Sequence, residues 1–257
     1  EGGLVRLFQL SKNPSPSWEL IWTFAGSPGE TIGYGFDLVN LSPTVNRIAI
    51  RRSDKVILRD VDTEGNASII GVDPLTASGK LVKLNAEGTI MAVASETLNS
   101  QRGRVEVFRS LDLGTSLAWE LDVAFDGDKI GDRLGYSLAI DSTGSRIAFG
   151  MPYNNGSTSM VQVYEFNGSE WVQVAADIIG KSLGDLFGWS LDMSADGKTV
   201  ITGATGSYTY GGIATDARGS ILVYEERDGA WQQVGVDLEG EATKEQIGRA
   251  VTMDSTG

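Results

Sequence analysis

Leu134-Gly135-Tyr136-Ser137-Leu138-Ala139-Ile140-Asp141-Ser142-Thr143-Gly144-Ser145-Arg146-Ile147-Ala148-Phe149-Gly150-Met151-Pro152 is the stretch whose reading decides the fold. Tyr136 to Ile140 alternates, Arg146 to Phe149 follows, and Asp141-Ser142-Thr143-Gly144 between them is a tight turn in which Gly144 supplies a positive φ. The pattern continues outward. Met160 to Phe166 alternates strongly, and Asn167-Gly168-Ser169 turns it into Trp171-Val172-Gln173-Val174. That is four short strands and no helical period.

The same grammar recurs along the chain. Repeat starts fall at Gly33, Gly79, Gly135, Gly188 and Gly248, spaced by 46, 56, 53 and 60 residues. A second landmark keeps register with the first. Trp18, Trp119, Trp171 and Trp231 each precede a glycine (Gly26, Gly127, Gly180, Gly240) by eight or nine residues, and each of those glycines precedes the next start by seven or eight. Four antiparallel strands per unit of about fifty residues is the signature of a β-propeller blade. The expected fold is all-β, a β-propeller of four-stranded antiparallel blades with about five repeats visible and helix under about a tenth of the residues. Residues 1–257 read as one propeller region. It has a partial blade at 1–26, full blades at 33–78, 79–127, 135–180 and 188–240, and a partial blade at 248–257. By repeat phase the chain opens on two outer strands and closes on one inner strand. The two ends either complete one composite blade of a five-bladed ring or mark a window of a larger propeller. The stop inside a turn favours the window, with the termini far apart.

Composition excludes several function classes. Of 257 residues none is Cys and none is His. Zinc, haem and iron–sulfur sites therefore have no ligands of the usual kinds, and neither a Ser-His-Asp triad nor a Cys-His pair can be built. The net charge of −13 disfavours nucleic acid and anionic membranes. No run of about 18 apolar residues is present, so no membrane-spanning helix is expected. The stretch at Glu1-Gly2-Gly3-Leu4 lacks the charged and apolar regions of a signal peptide. Glycine is high at 33 residues against only 6 prolines, which fits many tight turns and excludes a collagen-like chain.

Phe187-Gly188 with Gly203-Ala204-Thr205, and Leu134-Gly135 with Gly150-Met151-Pro152, resemble the FG-GAP repeat of integrin α-chain propellers and of related secreted or surface repeat proteins. The first copy has Thr for the final Pro, and the second has lost the Phe. Units of this kind cover nearly the whole chain. The resemblance implies adhesion or scaffolding at a cell surface or outside the cell, without catalysis, and a protein or glycan partner or other copies of the chain. FG-GAP propellers often carry Ca²⁺ loops of the Asp-x-Asp-x-Asp-Gly kind. Asp60-Val61-Asp62-Thr63-Glu64-Gly65 is similar, with Glu for the third Asp and Ser68 where a further carboxylate belongs. Asp60, Asp62 and Glu64 are accordingly the expected Ca²⁺ ligands, against the alternative of a plain acidic turn. Asp126, Asp128 and Asp132 form a second acidic turn.

Other residues invite functional readings beside architectural ones. The four repeated Trp are expected to pack between blades, Trp171 most securely. Trp189 replaces the Tyr34 and Tyr136 of sister repeats, and it either joins the core or lines a channel mouth. Asp141, Asp196 and Asp254 recur at the same repeat position and are expected to cap their own turns. Tyr208 and Tyr210 lie in the longest insertion, Gly206 to Arg218, the expected partner-contact loop. Asn40, Asn66, Asn155 and Asn167 each open an Asn-x-Ser sequon, more than nine Asn give by chance, which leans toward a secretory route.

The resulting expectation is a non-enzymatic interaction or structural module. One alternative is a propeller glycosidase or carbohydrate-binding protein, which would need carboxylates from several blades converging on a channel mouth. Ser194-Ala195-Asp196 lacks the spacing and aromatic of a sialidase Asp box. An intracellular WD-like scaffold is a third possibility, although no Trp-Asp dipeptide ends any repeat.

Overall fold

The computed structural model describes the chain except residues 1, 12–14, 31, 53–54, 71–79, 113–116, 154–157 and 207–217. The sheets are antiparallel meanders of consecutive strands. Strands β1 (Leu4–Ser11) and β2 (Ser17–Ala25) form a two-stranded ribbon. The first full sheet holds β3 (Ile32–Ser42), β4 (Val45–Arg52), β5 (Lys55–Asp62) and β6 (Ala67–Ile69). The second holds β7 (Leu81–Leu84), β8 (Ile90–Ser95), β9 (Arg104–Asp112) and β10 (Leu117–Asp126). The third holds β11 (Ser137–Ile140), β12 (Arg146–Met151), β13 (Met160–Phe166) and β14 (Trp171–Gln173), with the short β15 (Ile178–Ile179) also pairing with β13. The fourth holds β16 (Phe187–Met193), β17 (Thr199–Ala204), β18 (Ser220–Arg227) and β19 (Ala230–Glu239). Among the described residues, the helix content is a single turn at Leu98–Gln101, in which Asn99, Ser100 and Gln101 are left-handed.

The core is a series of layers between neighbouring sheets. One layer joins β1–β2 to the first full sheet through Val5, Leu7, Trp22 and Phe24 against Ile48, Ile50 and Val61. Three more join successive full sheets. Strands β8 and β12 are therefore buried on both faces along their whole length, which explains why Ile90–Ser95 and Arg146–Met151 lack alternation. Innermost strands β3, β7, β11 and β16 touch one another in turn. A Cβ on Gly150 would run into the carbonyl oxygen of Gly188, and one on Gly203 into that of Gly248. The same carbonyls accept the Ser137 and Ser190 hydroxyls, each at 2.7 Å. Close approach of adjacent inner strands is thus why glycine recurs at these positions.

The second glycine landmark also has a backbone role. The N–H groups of Gly26, Gly127, Gly180 and Gly240 donate to the carbonyls of Gly3, Gly103, Ser159 and Gly219 at 2.8–3.1 Å, closing the outer hairpin of the β1–β2 ribbon and of the second, third and fourth full sheets. A further ladder runs between the inner turns. Ala86 N–H donates to Ser142, Ser142 to Ala195, and Ala195 to Ser255, at 2.9, 3.0 and 3.1 Å.

The repeated tryptophans do not share one environment. Trp119 is buried between the first two full sheets. Trp171 and Trp231 are half-buried, and their indole N–H groups donate to the preceding sheet, at Asp122 (3.0 Å) and the Val174 carbonyl (3.1 Å). Trp18 departs from the expectation at 70% exposed. No earlier sheet lies on its side of the ribbon among the described residues, and Trp22 takes the packing role instead. The turn acids also need one correction. Asp141 Oδ1 accepts Arg146 N–H five residues on, as Asn85 accepts Ile90 and Ser194 accepts Thr199. Ser194 therefore stands at the position of Asp141. Asp196 lies two residues later, holding Lys198 N–H and the Ser194 hydroxyl. Residues 248–257 lie on the fourth full sheet, and among the described residues no strand pairing or backbone hydrogen bond joins them to residues 4–25.

Candidate functional site

The residue after each inner-strand glycine is free to vary while its backbone is fixed. At three successive repeats it is Tyr136, Trp189 and Arg249, and these meet. Gly135, Gly188 and Gly248 hold φ of 81–82°, and Arg133, Leu186 and Gln246, two residues earlier, are left-handed at 54–56°. This kink delivers the three side chains to one end of the channel that the innermost strands enclose. The channel pocket, about 330 Å³, is lined by residues of all four innermost strands and by Arg249, Ala250 and Val251. Phe36, 58% exposed, adds an apolar wall together with Leu81, Leu138 and Leu191.

An aromatic cluster stands at the mouth. The Tyr136 ring lies 4.8 Å from Trp189 and 5.5 Å from Tyr153, and Tyr153 is 6.3 Å from Trp189. Cations flank it. Arg133 sits 4.3 Å over Tyr153, Arg249 5.9 Å over Trp189 and Lys80 5.7 Å over Tyr136. Burial, then the hydrogen-bonded Tyr153 beside it, pushes the Tyr136 phenol well above its ordinary range, so it stays protonated and a hydrogen-bond donor.

The acids near the channel are engaged elsewhere. Asp37 accepts Leu84 N–H of the next sheet at 2.7 Å and lies 4.0 Å from Lys83 Nζ. At the matching place three sheets on, Asp192 accepts Met253 N–H and the Thr252 hydroxyl, at 3.0 and 2.9 Å. Asp37 thus latches β3 to β7, and Asp192 latches β16 to the segment 252–253. Burial raises the Asp37 carboxyl, Lys83 opposes the shift and Asp192 adds to it. Glu96 pairs with Lys80 at 3.1 Å. Among the described residues the channel lining carries Lys83 and Arg249 and no carboxylate.

The expected cation loop is arranged differently. Arg47 lies directly across the β4–β5 pairing from Asp60 and binds it through both carboxylate oxygens, at 2.7 and 2.9 Å. Asp62 caps its own turn, accepting Glu64 and Asn66 N–H and the Asn66 side-chain amide, each at 2.9 Å. These bonds, the Asn66 amide first, hold its carboxyl below the ordinary value. Glu64 is exposed. Among the described residues no three acidic side chains are placed to hold a metal ion, so Asp60, Asp62 and Glu64 do not converge. Tyr208, Tyr210 and Asn155 lie outside the described residues, while Asn40, Asn66 and Asn167 are exposed. Sequence reasoning left Trp189 between the core and a channel mouth, and it missed Arg133, Tyr153 and Arg249. The signal for Arg249 was its place directly after Gly248.

No family model matches the sequence, and no curated protein matches it. Solved structures do match the fold. A candidate 6-phosphogluconolactonase from Bacteroides fragilis superposes at TM-score 0.55 with 11% identity, over 94% of this chain and 66% of that one. A protein from Lactobacillus plantarum gives TM-score 0.59 and 12% identity, over 91% and 65%. Sqt1 from Chaetomium thermophilum, solved bound to the N-terminus of ribosomal protein L10, gives 0.54 and 16%, over 91% and 56%. This chain thus spans two thirds or less of the length of the structures it matches. At such identities the likeness concerns architecture alone, and with the sheet order and the inter-sheet layers it establishes that the chain folds as a β-propeller.

Proposed function

We propose that the chain is a non-catalytic binding module of FG-GAP-like repeats, serving adhesion or scaffolding at a cell surface or outside the cell, and that its channel mouth contacts the partner. The carrying observation is the Trp189, Tyr136 and Tyr153 cluster with Arg133 and Arg249 set over its rings. Trp, Tyr and Arg are the side chains that dominate protein-binding hot spots. Guanidiniums over a lining without carboxylates select an acidic peptide segment locally, against the net charge of −13 on the chain as a whole. Sqt1 offers a parallel, since that propeller was solved with a protein segment bound. The exposed sequons at Asn40, Asn66 and Asn167 support a secretory route.

Peptide display on the folded protein, counter-selected on Trp189→Ala, tests this reading. Enriched acidic peptides should lose at least tenfold in affinity on Arg249→Glu, with the melting temperature of the variant checked alongside. A library with no enrichment, or binders indifferent to both substitutions, would sink it. So would hydrolysis of 6-phosphogluconolactone above the spontaneous rate, the activity suggested by the Bacteroides neighbour.

A further inference from the structure

Two interfaces between neighbouring sheets are built on one plan and differ in their charges. Between the third and fourth full sheets, Lys181 follows Gly180 and reaches Asp237 of β19 with its ammonium, at 2.6 and 2.7 Å. Gln233 donates to the same carboxylate at 2.7 Å. Between the second and third full sheets, the matching residues are Asp128, which follows Gly127, and Asp177, to which Gln173 donates at 2.6 Å. Where one interface carries its own ammonium, the other places the carboxylates of Asp128 and Asp177 in the lining of one cavity. Both Asp177 and Asp128 act, after burial, to raise the Tyr164 phenol between them.

A cavity of about 440 Å³ stands at this place, and Asp128, Asp132, Tyr164 and Asp177 line it. Asp132 is only 4% exposed. Its Oδ2 accepts Lys129 N–H at 2.7 Å, while its Oδ1 is buried with no donor among the described residues. The sister residue, Asp185, is satisfied, because its Oδ1 accepts the Ser159 hydroxyl and Phe187 N–H. In the cavity's own interface Gly103 stands in the place of Ser159, and Leu134 N–H is turned to the Arg102 carbonyl. A buried carboxylate oxygen without a donor is strongly unfavourable. Asp126, also in the lining, is already held by Arg104 through two bonds of 2.7 Å. Lys129 lines the cavity too, and its ammonium makes no ion pair among the described residues.

We propose that this cavity is a site for a primary alkylammonium group, supplied by a free amine or by a lysine side chain. Lys181 in the sister interface shows the chemistry that fits there, an ammonium on a slim alkyl stem. The walls suit such a cation. Phe125, Phe149 and Tyr164 form a ring cluster with centroids 4.5–5.6 Å apart, and aromatic faces attract organic cations. A metal ion fits worse, since no three acids among the described residues converge. Asp128 and Asp177 supply the charge, and Asp132 waits for a donor at the cavity wall.

Calorimetric titration of the full chain at low ionic strength tests the site with three probes: cadaverine, the peptide acetyl-Ala-Lys-Ala-amide, and Ca²⁺. The expected result is saturable binding of one amine per chain. Cadaverine alone would mark a free amine as the source, and the peptide alone a lysine side chain. Asp128→Lys, at an exposed position, should rebuild the Lys181 arrangement, weaken amine binding at least tenfold and raise the melting temperature. Asp132→Asn should weaken amine binding about threefold or more. Silence of both amines, equal amine binding by Asp128→Lys, or Ca²⁺ binding with silent amines would each overturn the assignment.

Discussion

Trp171→Ala and Trp18→Ala remove the same side chain from the same repeat position, and the structure assigns them different consequences. Trp171 packs with Phe125 and Phe166, at ring distances of 6.3 and 5.7 Å, and its indole N–H reaches Asp122 of the neighbouring sheet. Truncating a fully buried Trp costs about 3–5 kcal/mol. Trp171 is half-buried and its acceptor Asp122 is partly solvated, so about 2–3 kcal/mol is the reasoned figure. Trp18 is 70% exposed, and its loss should stay within about 0.5 kcal/mol. Urea unfolding separates the two. With a slope of about 3 kcal/mol per molar, Trp171→Ala should lower the midpoint by about 0.7–1 M and Trp18→Ala by under about 0.2 M. Trp171→Phe, which keeps ring packing and loses the N–H, should fall between them. Equal midpoint shifts for the two alanine variants would refute inter-sheet packing as the reason for the repeated tryptophan.

Three further outcomes are expected. Gly203→Ala drives a methyl group into the Gly248 carbonyl and should destabilise by about 2–3 kcal/mol or prevent folding, whereas Gly168→Ala meets no neighbour and, despite its positive φ, should cost about 1 kcal/mol; thermal melts of the pair check this. Glu30, Asp62, Asp126, Asp196, Asp237 and Asp254 all have carboxyls held below their ordinary values of 3.8 or 4.5. Their stabilisation is present above those values and lost as pH falls through the lower folded ones, so the melting temperature should hold above about pH 5 and drop below about pH 4; a drop already complete at pH 5 would contradict the shifts. Asp37 has the opposite sign, because burial raises it and its contribution is fully present only below 3.8. Asp37→Asn keeps an acceptor for Leu84 N–H and should raise the melting temperature at pH 7 but not at pH 3; an equal change at both would show that burial of charge is not the cause.

The strand grammar and both glycine landmarks were legible in the sequence because backbone demands recur in every unit. A positive φ at Gly135 and Gly188, or a hairpin-closing N–H at Gly127 and Gly180, leaves the same residue each time. Side-chain fates were less legible, since they depend on which sheet lies alongside. Trp18 and Trp231 share a pattern, yet among the described residues Trp231 packs against a neighbouring sheet and Trp18 is exposed. Asp60-Val61-Asp62-Thr63-Glu64 reads as a cation loop until cross-strand register puts Arg47 opposite Asp60. Half of the channel mouth was visible in Trp189. Tyr153 and Arg133 come from loops whose approach to the channel no spacing rule encodes.

The bonds from Ala86 to Ser142, Ser142 to Ala195 and Ala195 to Ser255 join neighbouring sheets through main chain, and side-chain bonds from Asn85 to the Thr143 carbonyl (3.0 Å) and from the Ser142 hydroxyl to the Ala195 carbonyl (2.7 Å) are added at two of the joints. The residues carrying them differ from unit to unit, and so do the side chains Asn85, Asp141 and Ser194 that brace each turn. A joint written in peptide groups is indifferent to amino-acid identity. Gene duplication could therefore add or delete a unit without first evolving a matched surface, because every copy arrives with the donor and acceptor its neighbours need. Sequence drift between copies then leaves the main-chain bonds of the joint in place, and selection is left free to act on the variable positions at the mouth.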